Sequence, residues 1–583
     1  MFKNKKKLLL PLTGVLLFAV ALNVLFANTD DRDNVFKQLK QANDVFTQTI
    51  QNYVDPIDYE KFFMGGIKGA LRTLDPHTTY FMKKDYDDLK TETKGEFYGL
   101  GIVISIRDNI LTVISPIEGT PAYRQGLQAG DQIIEIEGKS TRGFTSQDAV
   151  EKLRGPKDTE VTITVRRPGE PKPMEYTFKR ALVEIKSVPF YGMTEEGVGF
   201  IRLTRFSQKA TSEIRDAIED LESKNAKGII LDLRSNPGGL LNEAVKVASM
   251  FLESGDLIVY TEGAETYRDK SFNALPMDVK YDTGKLIVLL NRGSASASEI
   301  VAGAIQDHDR GLVMGQRSFG KGLVQTVIPL HKVAGTALKI TTAKYYIPSG
   351  RCIQKESYLK WKNSAIVSEF TEDDTTEGDI WGEGYFFESR EDSLEEEKDK
   401  EDLPEYETDG GRTVYGGGGI MPDIKYDTDE LSPLEIALER KSVFFRYAVQ
   451  YVAEHDDIGP DFEITDEIME DFMKYVEDEE FEFELRSEIE IEKLEKIIED
   501  AIHNDDLQAK LDEFKMVLEQ EKESQFVKSH DYITRAIRRE IITGSLGQEA
   551  RYQYDVLIND EEVRRAVEII LSDDEYASYF NFK

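Results

Sequence analysis

The sequence has 583 residues, a formal net charge of -36 and an isoelectric point near 4.7, and 40% of its residues are hydrophobic. A chain of this length has room for about four domains of ordinary size. The excess of acidic residues argues against nucleic acid or anionic lipid as a partner. The single cysteine, Cys352, excludes an internal disulfide framework and a cysteine-rich zinc site. We expect no metal and no cofactor.

The first 28 residues have the pattern of a signal sequence or membrane anchor. A basic start, MFKNKKK, precedes the uncharged stretch Leu8–Ala27. The length of this stretch matches the roughly 20 residues needed to span a bilayer. Cleavage after Ala27 would put Leu25 where a small residue is preferred. We therefore expect residues 8–27 to anchor the chain in the membrane, with the remainder in the periplasm or cell envelope. A cleaved signal is the alternative.

The composition then changes along the chain. Residues 29–93 have apolar positions at helical spacing and predict a helical N-terminal region. Residues 94–180 combine strand-like runs with glycine-punctuated turns. From 181 to 354 strands and helices alternate, which is the α/β pattern.

The last third of the chain is more acidic. Residues 355–411 contain the charge run ESREDSLEEEKDKED, typical of a solvated loop or a disordered insertion. This insertion lies between two parts of the core, so covering a cleft or recruiting a partner is an alternative to a passive loop. Residues 412–430 return to the core pattern, and residues 431–583 predict an acidic helical extension.

The stretch NRGSASASEI (Asn291–Ile300) places three serines between an apolar run and a helical pattern. One interpretation is a capping box, in which Ser296 caps the helix and Glu299, three residues later, closes the box. The other interpretation is that Ser296 is a nucleophile, which requires a base to take the proton of its hydroxyl. The stretch alone does not decide between them.

The base that the sequence offers is a lysine. None of the six histidines lies in a compelling place: His308 and His331, the nearest in sequence, have no distinctive flanking motif, and the GxSxG elbow is absent. Lys321 lies in RSFGKGLVQ, and on a strand Lys321, Leu323 and Gln325 would share one face. A lysine acts as a base only when its pKa falls from about 10.4 to roughly 7–8. Burial among the apolar neighbours Phe319, Leu323 and Val324 would lower the pKa.

Two other motifs overlap this segment. GQRSFGKG (Gly315–Gly322) matches a phosphate-binding loop except at its last position, where Gly322 replaces the hydroxyl residue that holds Mg²⁺. Such a loop also needs a following helix, and this segment continues as a strand. Ser318 and Lys321 have S-x-x-K spacing, but that motif works on a helix and not among glycines. We therefore expect neither a nucleotide site nor a nucleophilic Ser318.

Several motifs in one order resemble the C-terminal processing peptidases, also called tail-specific proteases. The resemblance covers most of residues 40–355 and then the segment GGGGIMPDI. Its motifs are LDPHTTYF (Leu74–Phe81), a PDZ-like module, GIILDLRSNPGG (Gly228–Gly239) and the segment Asn291–Gln325. The resemblance implies a serine endopeptidase with a Ser–Lys pair.

Carried over residue by residue, the resemblance implies that Ser296 is the nucleophile and Lys321 the general base. Gln325 matches the residue that orients the lysine amine in the family. Asp307 stands where some members have an aspartate.

The resemblance also implies an oxyanion hole and a tail-binding loop. The oxyanion donors would be the amide of Ala297 and a glycine amide, Gly238 or Gly239. The segment YGLGI matches the loop of a PDZ domain whose N–H groups bind a substrate's terminal carboxylate. Its residues are Tyr98, Gly99, Leu100, Gly101 and Ile102.

Taken together, the sequence predicts a multidomain α/β protein: a protease core with an inserted β-rich PDZ-like module, a helical N-terminal region and a long helical C-terminal region. The expected function is an exported endopeptidase for protein or peptide substrates with exposed apolar C-termini. A PDZ scaffold or chaperone-like binding protein with a non-catalytic protease domain is the alternative. A homo-oligomer or an adaptor protein is a further expected partner.

Overall fold

The computed structural model describes residues 31–107, 109–264, 266–330, 335–355, 403–426, 431–455, 457–501 and 505–580. The predicted anchor at residues 1–28 and most of the predicted acidic insertion therefore lie outside the described residues. Within the described ranges, no helix is both long and apolar enough to cross a membrane. The chain divides into two units, Met1–Leu74 and Asp75–Lys583.

The first unit is helical, as its apolar spacing predicts. It contains α1 (Asp31–Asn52) and α2 (Tyr59–Arg72). Three aromatic rings, those of Phe46, Phe62 and Phe63, meet edge to face with centroids 5.4 to 5.6 Å apart. These edge-to-face contacts hold the two helices together.

The second unit begins with β1 (Thr79–Phe81) and α3 (Lys83–Lys94) and then forms a β-rich domain. The elements of this domain are β2 (Glu96–Gly99), β3 (Ile102–Arg107), β4 (Ile110–Pro116), α4 (Pro121–Arg124), β5 (Gln132–Ile136), β6 (Lys139–Ser140), α5 (Ser146–Leu153), β7 (Glu160–Arg166), β8 (Met174–Lys179) and β9 (Ala181–Glu184). The sheet is antiparallel with the order β3-β4-β5-β7-β8, so β3 is an edge strand. Alternate residues of β7 are buried, which gives the sheet one core face.

The α/β core follows in an alternating pattern of strands and helices. Its elements are β10 (Phe190–Met193), β11 (Gly199–Arg202), α6 (Ala210–Ser223), β12 (Ile229–Asp232), α7 (Leu241–Ser249), β13 (Leu257–Gly263), β14 (Lys270–Asn273), β15 (Leu286–Leu290), α8 (Ala297–Asp307), β16 (Leu312–Gly315), β17 (Leu323–Pro329), β18 (Ala337–Tyr346), β19 (Glu405–Glu407), β20 (Thr413–Tyr415) and β21 (Ile424–Lys425). A short 3₁₀ turn, Thr266–Arg268, lies between β13 and β14.

The central sheet has the order β10-β11-β12-β15-β16-β21, and every pair but β10–β11 is parallel. All residues of β12, β15 and β16 are buried, as expected for parallel strands covered on both faces. Helices α6, α7 and α8 pack on one face. The loops after β12 and β15 meet at the carboxyl edge, where ligands of open α/β sheets usually bind.

A second sheet brings a distant segment to this edge. Its order is β1-β18-β13-β14, and β17 pairs with the other side of β18. Lys339 of β18 lies opposite Thr79 on one side and opposite Val327 on the other. Strand β1, the end of the LDPHTTYF segment, therefore lies beside β18 and on the opposite side of that strand from β17.

The C-terminal region is helical, as its composition predicts. Its helices are α9 (Pro433–Arg440), α10 (Val443–Glu454), α11 (Asp466–Asp478), α12 (Arg486–Ala501), α13 (Asp505–Lys528), α14 (His530–Leu546), α15 (Gln548–Arg551), α16 (Leu557–Asn559), α17 (Glu561–Leu571) and α18 (Asp573–Ser578), with a π turn at Tyr552–Val556. Helices α9, α10, α11, α13 and α14 share a core of their own. Helix α17 instead packs Val563, Ala566 and Ile570 on the second face of the central sheet.

Candidate active site

The three serines of the stretch Asn291–Ile300 lie at the turn between β15 and α8. Ser294 Oγ donates to the carbonyl of Leu233 over 2.8 Å, and Ser298 Oγ donates to that of Asn236 over 2.9 Å. These two serines therefore fasten the turn to the loop after β12, and neither bond involves Ser296. Ser296 has φ 56° and ψ −110°, a backbone conformation that costs a non-glycine residue about 1–3 kcal/mol.

A buried carboxylate connects this turn with the lysine segment. Glu299 Oε2 accepts from the amides of Ser296 at 2.6 Å and Lys321 at 3.0 Å. Its other oxygen, Oε1, accepts from Ser318 Oγ at 2.6 Å and from the Gly320 amide at 2.7 Å. Burial raises the pKa of Glu299, and the four hydrogen bonds oppose that rise. One carboxylate thus holds both segments in a fixed relation.

A buried phenol makes the complementary connection. The hydroxyl of Tyr345, on β18, lies within hydrogen-bond distance of the carbonyl of Ser296, at 3.2 Å, and of the carbonyl of Lys321, and its single proton can be donated to either. Glu299 therefore binds the amides of the two residues and Tyr345 contacts their carbonyls. The backbones of Ser296 and Lys321 are held by the same two side chains.

Lys321 immediately precedes β17, and its side chain is partly buried. Its Nζ donates to Gln325 Oε1 over 3.1 Å. Burial lowers the pKa of Lys321, the charge of Lys339 lowers it further, and the charges of Glu299 and Asp75 oppose the change. Within the part of the chain that the structure describes, no hydrogen bond joins Lys321 Nζ to Ser296 Oγ. A strand follows Lys321, as expected for a segment that is not a phosphate-binding loop.

The loop after β12 approaches the Ser296 turn closely. A side chain on Gly238 would place its Cβ 2.8 Å from the Ala297 amide and 2.9 Å from Ser296 Cβ, so only glycine fits there. The Gly238 amide already donates to Asn236 Oδ1 at 2.9 Å. Gly239 has a φ of 148° and its amide donates to no acceptor among the described residues. Of the two predicted glycine donors, only Gly239 therefore has an amide without an acceptor among the described residues.

Sequence reasoning missed His77, which belongs to the LDPHTTYF motif. Burial lowers its pKa to about 4, and the nearby charge of Lys321 contributes to that decrease. Asp75 positions the segment, because it accepts from the amides of His77 and Thr78 at 2.8 and 2.7 Å. A neutral imidazole therefore lies in the surroundings of Lys321. The only signal in the sequence was the motif itself.

Two further residues of the sequence analysis have structural partners. Asp307, at the end of α8, accepts from Arg351 over 2.7 Å, and both side chains are buried. Ser318 Oγ donates to Glu299 and accepts from the Ile420 amide over 2.6 Å. Both residues therefore stabilise the walls of the site.

The predicted tail-binding loop connects β2 with β3. Gly101 has a φ of 78°, and a Cβ there would come within 2.2 Å of Thr120. Leu100 is buried, and its carbonyl accepts from the Ala122 amide over 3.0 Å. Tyr98 pairs with Leu182 of β9 and is 40% exposed. The loop thus has a fixed backbone at the start of an edge strand, the arrangement that strand addition requires.

A cavity of about 720 Å³ lies beside the residue that follows Gly239. Its apolar lining includes Leu240, Leu241, Val245, Phe272 and Leu275. Leu240 directly follows the glycine pair, so one wall of the cavity is continuous in sequence with the loop that approaches the Ser296 turn.

These groups together can support acyl transfer. That reaction needs a hydroxyl nucleophile, an amine whose pKa is low enough to accept a proton, and N–H donors for the oxyanion. In the described part of the chain, no group of three or more His, Cys, Asp or Glu side chains could hold a metal ion.

The chain has recognisable relatives over its central part. It matches the peptidase family S41 over residues 197–359, a PDZ domain over 112–167, and the C-terminal helical domain of probable PDZ proteases over 434–570. It is 43% identical over 330 residues to a carboxy-terminal-processing protease of Bartonella bacilliformis, covering 56% of this chain and 75% of the relative.

A second sequence match is consistent with this. The chain is 33% identical over 326 residues to the carboxy-terminal processing protease CtpA of Bacillus subtilis, covering 56% of this chain and 68% of that protein. Among solved structures, a photosystem II D1 C-terminal processing protease is 30% identical, with 53% of this chain and 82% of that chain covered and a TM-score of 0.33. On the sequence matches, the chain belongs to peptidase family S41, among the carboxy-terminal processing proteases.

Proposed function

We propose that the chain is an exported serine endopeptidase in which Ser296 is the nucleophile and Lys321 the general base. Its PDZ domain binds the C-terminal tail of a protein or peptide substrate. The observation that carries the assignment is the arrangement around Glu299 and Tyr345, which holds the backbones of Ser296 and Lys321 together. No other serine and lysine of the motif region share two buried partners in this way within the described residues.

The reaction begins with a neutral Lys321 amine. Gln325 accepts one N–H of the amine, so the lone pair stays available for the proton of Ser296. The Ser296 oxygen then attacks the substrate carbonyl carbon and forms a tetrahedral intermediate. The amides of Gly239 and Ala297 stabilise its oxyanion, an effect worth about 10²–10³-fold in rate for one donor.

Collapse of the intermediate breaks the peptide bond. The Lys321 ammonium gives its proton to the leaving amine, and Ser296 is left as an ester of the N-terminal product. Water then loses a proton to Lys321 and attacks this ester, which releases a carboxylate and restores the serine hydroxyl. The apolar cavity beside Leu240 accommodates a side chain of the substrate next to the cleaved bond.

The PDZ domain supplies substrate selection. Strand β3 is an edge strand, and the amides of the Tyr98–Ile102 loop lie at its start. An extended tail that pairs with β3 gains main-chain hydrogen bonds, and its terminal carboxylate meets the loop amides.

A PDZ scaffold with a non-catalytic protease domain is the rival. The test incubates purified protein with an unstructured substrate and compares Ser296→Ala and Lys321→Ala with Lys344→Ala, an exposed lysine on β18. We expect loss of cleavage in the first two variants and wild-type cleavage in the third. A serine-reactive phosphonate should label Ser296 in the wild type. Cleavage by Ser296→Ala would contradict the assignment.

We also propose a location in the cell envelope, anchored by residues 8–27. This location is supported by the basic start of the sequence and by the uncharged stretch that follows it. The length of that stretch matches the roughly 20 residues needed to span a bilayer. Fractionation of cells should find the protein in the membrane fraction with its N-terminal segment intact. A mature N-terminus near Asn28 would show a cleaved signal instead.

A further inference from the structure

The helix α17 contacts the loop that carries Gly239. Arg234 stands near the start of this loop, and one of its terminal nitrogens lies 2.9 Å from Glu562 Oε2 and 2.9 Å from Asp560 Oδ2. The same guanidinium donates to both oxygens of Asp232, at 3.0 and 2.8 Å. Asp232 is the last residue of β12. One arginine therefore links the C-terminal helix to the central sheet at its carboxyl edge.

The charges around Arg234 form a closed cluster. Arg202 donates to Asp232 over 3.0 Å, so two guanidinium groups face the carboxyl groups of Asp232, Asp560 and Glu562. All five side chains are largely buried. Such a cluster is costly to break, because removing one partner leaves an uncompensated charge without water. Arg234 is therefore held in one position.

The loop after Arg234 is hydrogen-bonded to the Ser296 turn. The carbonyl of Asn236, two residues after Arg234, accepts from the Ala295 amide over 3.0 Å and from Ser298 Oγ over 2.9 Å. The Asn236 side chain accepts from the Gly238 amide and donates to the carbonyl of Leu203. A shift of Arg234 therefore changes the separation between Gly239 and the turn.

The docking of α17 does not rest on these charges alone. Its apolar side chains are buried against the central sheet, and each fully buried large aliphatic side chain contributes about 1.5–3 kcal/mol. Asp560 precedes the helix and accepts from the Val563 amide over 3.1 Å, which caps it. The two carboxyl groups can therefore be neutralised while the helix stays in place.

We propose that Asp560 and Glu562 are positioning residues for peptide hydrolysis. They act through Arg234 on the loop from Arg234 to Gly239 and so set the distance between the two oxyanion donors. The inference rests on the proposed function, because it assumes that Ser296 is the nucleophile. It gives part of the C-terminal region a catalytic consequence.

The test is the double variant Asp560→Asn/Glu562→Gln. Both changes keep the side-chain shape, and asparagine caps a helix about as well as aspartate. The double variant loses the negative charges that the C-terminal region presents to Arg234, whereas the carboxylate of Asp232 remains. We expect kcat to fall by about 10- to 100-fold and KM to change by less than about twofold, since an oxyanion donor acts in the transition state.

The matched control is Glu561→Gln on the same helix. Glu561 is exposed and contacts Arg535 and Tyr426 instead of Arg234. The kcat of Glu561→Gln should stay within about twofold of the wild-type value. The single variant Glu562→Gln keeps Asp560 against Arg234 and should recover part of the lost kcat.

A wild-type kcat in the folded double variant would overturn the proposal and leave the cluster with a structural role alone. Thermal unfolding establishes that each variant is folded at the assay temperature. If the double variant does not fold, the single variant Asp560→Asn is measured instead. A wild-type kcat in the folded single variant would then overturn the proposal, and a reduced kcat would support it. Cleavage by Ser296→Ala would instead contradict the proposed function, so the two failures are distinguishable.

Discussion

Lys321 Nζ donates a hydrogen bond to Gln325 Oε1 over 3.1 Å, and the partner of this buried amine is therefore a neutral amide. A carboxylate at the same place would stabilise the ammonium and raise the pKa of Lys321. The neutral amide holds the amine without raising the pKa of Lys321, while burial and the charge of Lys339 lower that pKa. This relationship suits a lysine that has to accept a proton near neutral pH.

The first prediction exchanges the amide for a charge. In Gln325→Glu the new carboxylate raises the pKa of Lys321, so less neutral amine is present at any given pH. We expect kcat/KM at pH 7.5 to fall by up to about tenfold for each unit of pKa increase, and to recover as the pH rises. Gln325→Ala, measured alongside, loses the orientation of the amine and should not recover at high pH. Identical pH profiles for the two variants would contradict this explanation.

The second prediction concerns the like charge at Lys339. Lys339→Met removes a positive neighbour, so the pKa of Lys321 rises and the increase of kcat/KM with pH moves to higher pH. Lys344→Met on the same strand is the control, since Lys344 is exposed. The measurement is kcat/KM from pH 6 to 10 on one peptide. An unchanged profile in Lys339→Met would show that burial alone lowers the pKa.

The sequence predicted the fold class because its signals are local. Apolar runs of four or five residues marked β12 and β15, and the helical spacing after Ser296 marked α8. The side chains of Lys321 and Gln325 meet, as their spacing suggested. Their catalytic roles, and those of Ala297 and Gly239, stay predictions.

Other parts of the site could not be predicted from sequence. Glu299 looked like the second half of a capping box because Ser296 is three residues away. Three of its four donors come from the segment Ser318–Lys321, and only the folded chain brings them together. His77 reaches Lys321 through the pairing of β1 with β18. The contact of Arg234 with Glu562 joins residues more than half the chain apart, which no periodicity reveals.

The third prediction tests Glu299 itself. A glutamine there keeps one oxygen for two donors and turns an NH₂ group toward the other two. Each of these two buried donors left without its partner costs about 1–3 kcal/mol, so the free energy of unfolding should fall by about 2–6 kcal/mol. Because the amides of Ser296 and Lys321 then separate, we expect cleavage to fall by more than about 100-fold.

Glu213→Gln is the control for that experiment. Glu213 is a partly buried carboxylate on α6 that accepts from the Val188 amide over 2.7 Å. The Glu213→Gln variant should be less stable than the wild type but should keep the wild-type kcat. Equal loss of kcat in both variants would show a general effect of destabilisation and not a role for Glu299 in holding the site.

The fourth prediction follows from Glu562. Burial raises the pKa of its carboxyl group to about 7, against an ordinary value of 4.5, and the charge of Arg234 opposes the rise. An acid with a raised pKa in the folded state stabilises the fold below its unfolded pKa, and that contribution is lost as the pH rises through about 7. The glutamine of Glu562→Gln does not ionise, so its contribution to the free energy of unfolding does not change with pH.

Urea unfolding at pH 5 and pH 8 measures the difference. From pH 5 to pH 8, the wild type should lose up to about 3 kcal/mol more than Glu562→Gln. Glu561→Gln should follow the wild type at both pH values. Parallel behaviour of the wild type and Glu562→Gln would show that Glu562 titrates at an ordinary pKa.

The last prediction concerns recognition of the substrate tail. Gly101 cannot be replaced cleanly, because a Cβ there meets Thr120, so the informative change is in the peptide. Amidation of the peptide's C-terminus removes the charge that the loop amides bind, and a hydrogen bond to a charged group contributes about 1.5–3 kcal/mol. We expect the amidated form to be cleaved at least about tenfold less efficiently. Ser296→Ala should bind the free acid more tightly than the amide by the same factor, because the PDZ domain is unchanged in that variant. Equal cleavage and equal binding of the two forms would show that the Tyr98–Ile102 loop does not read the terminal carboxylate, whereas equal binding with unequal cleavage would place that recognition at the cleavage site itself.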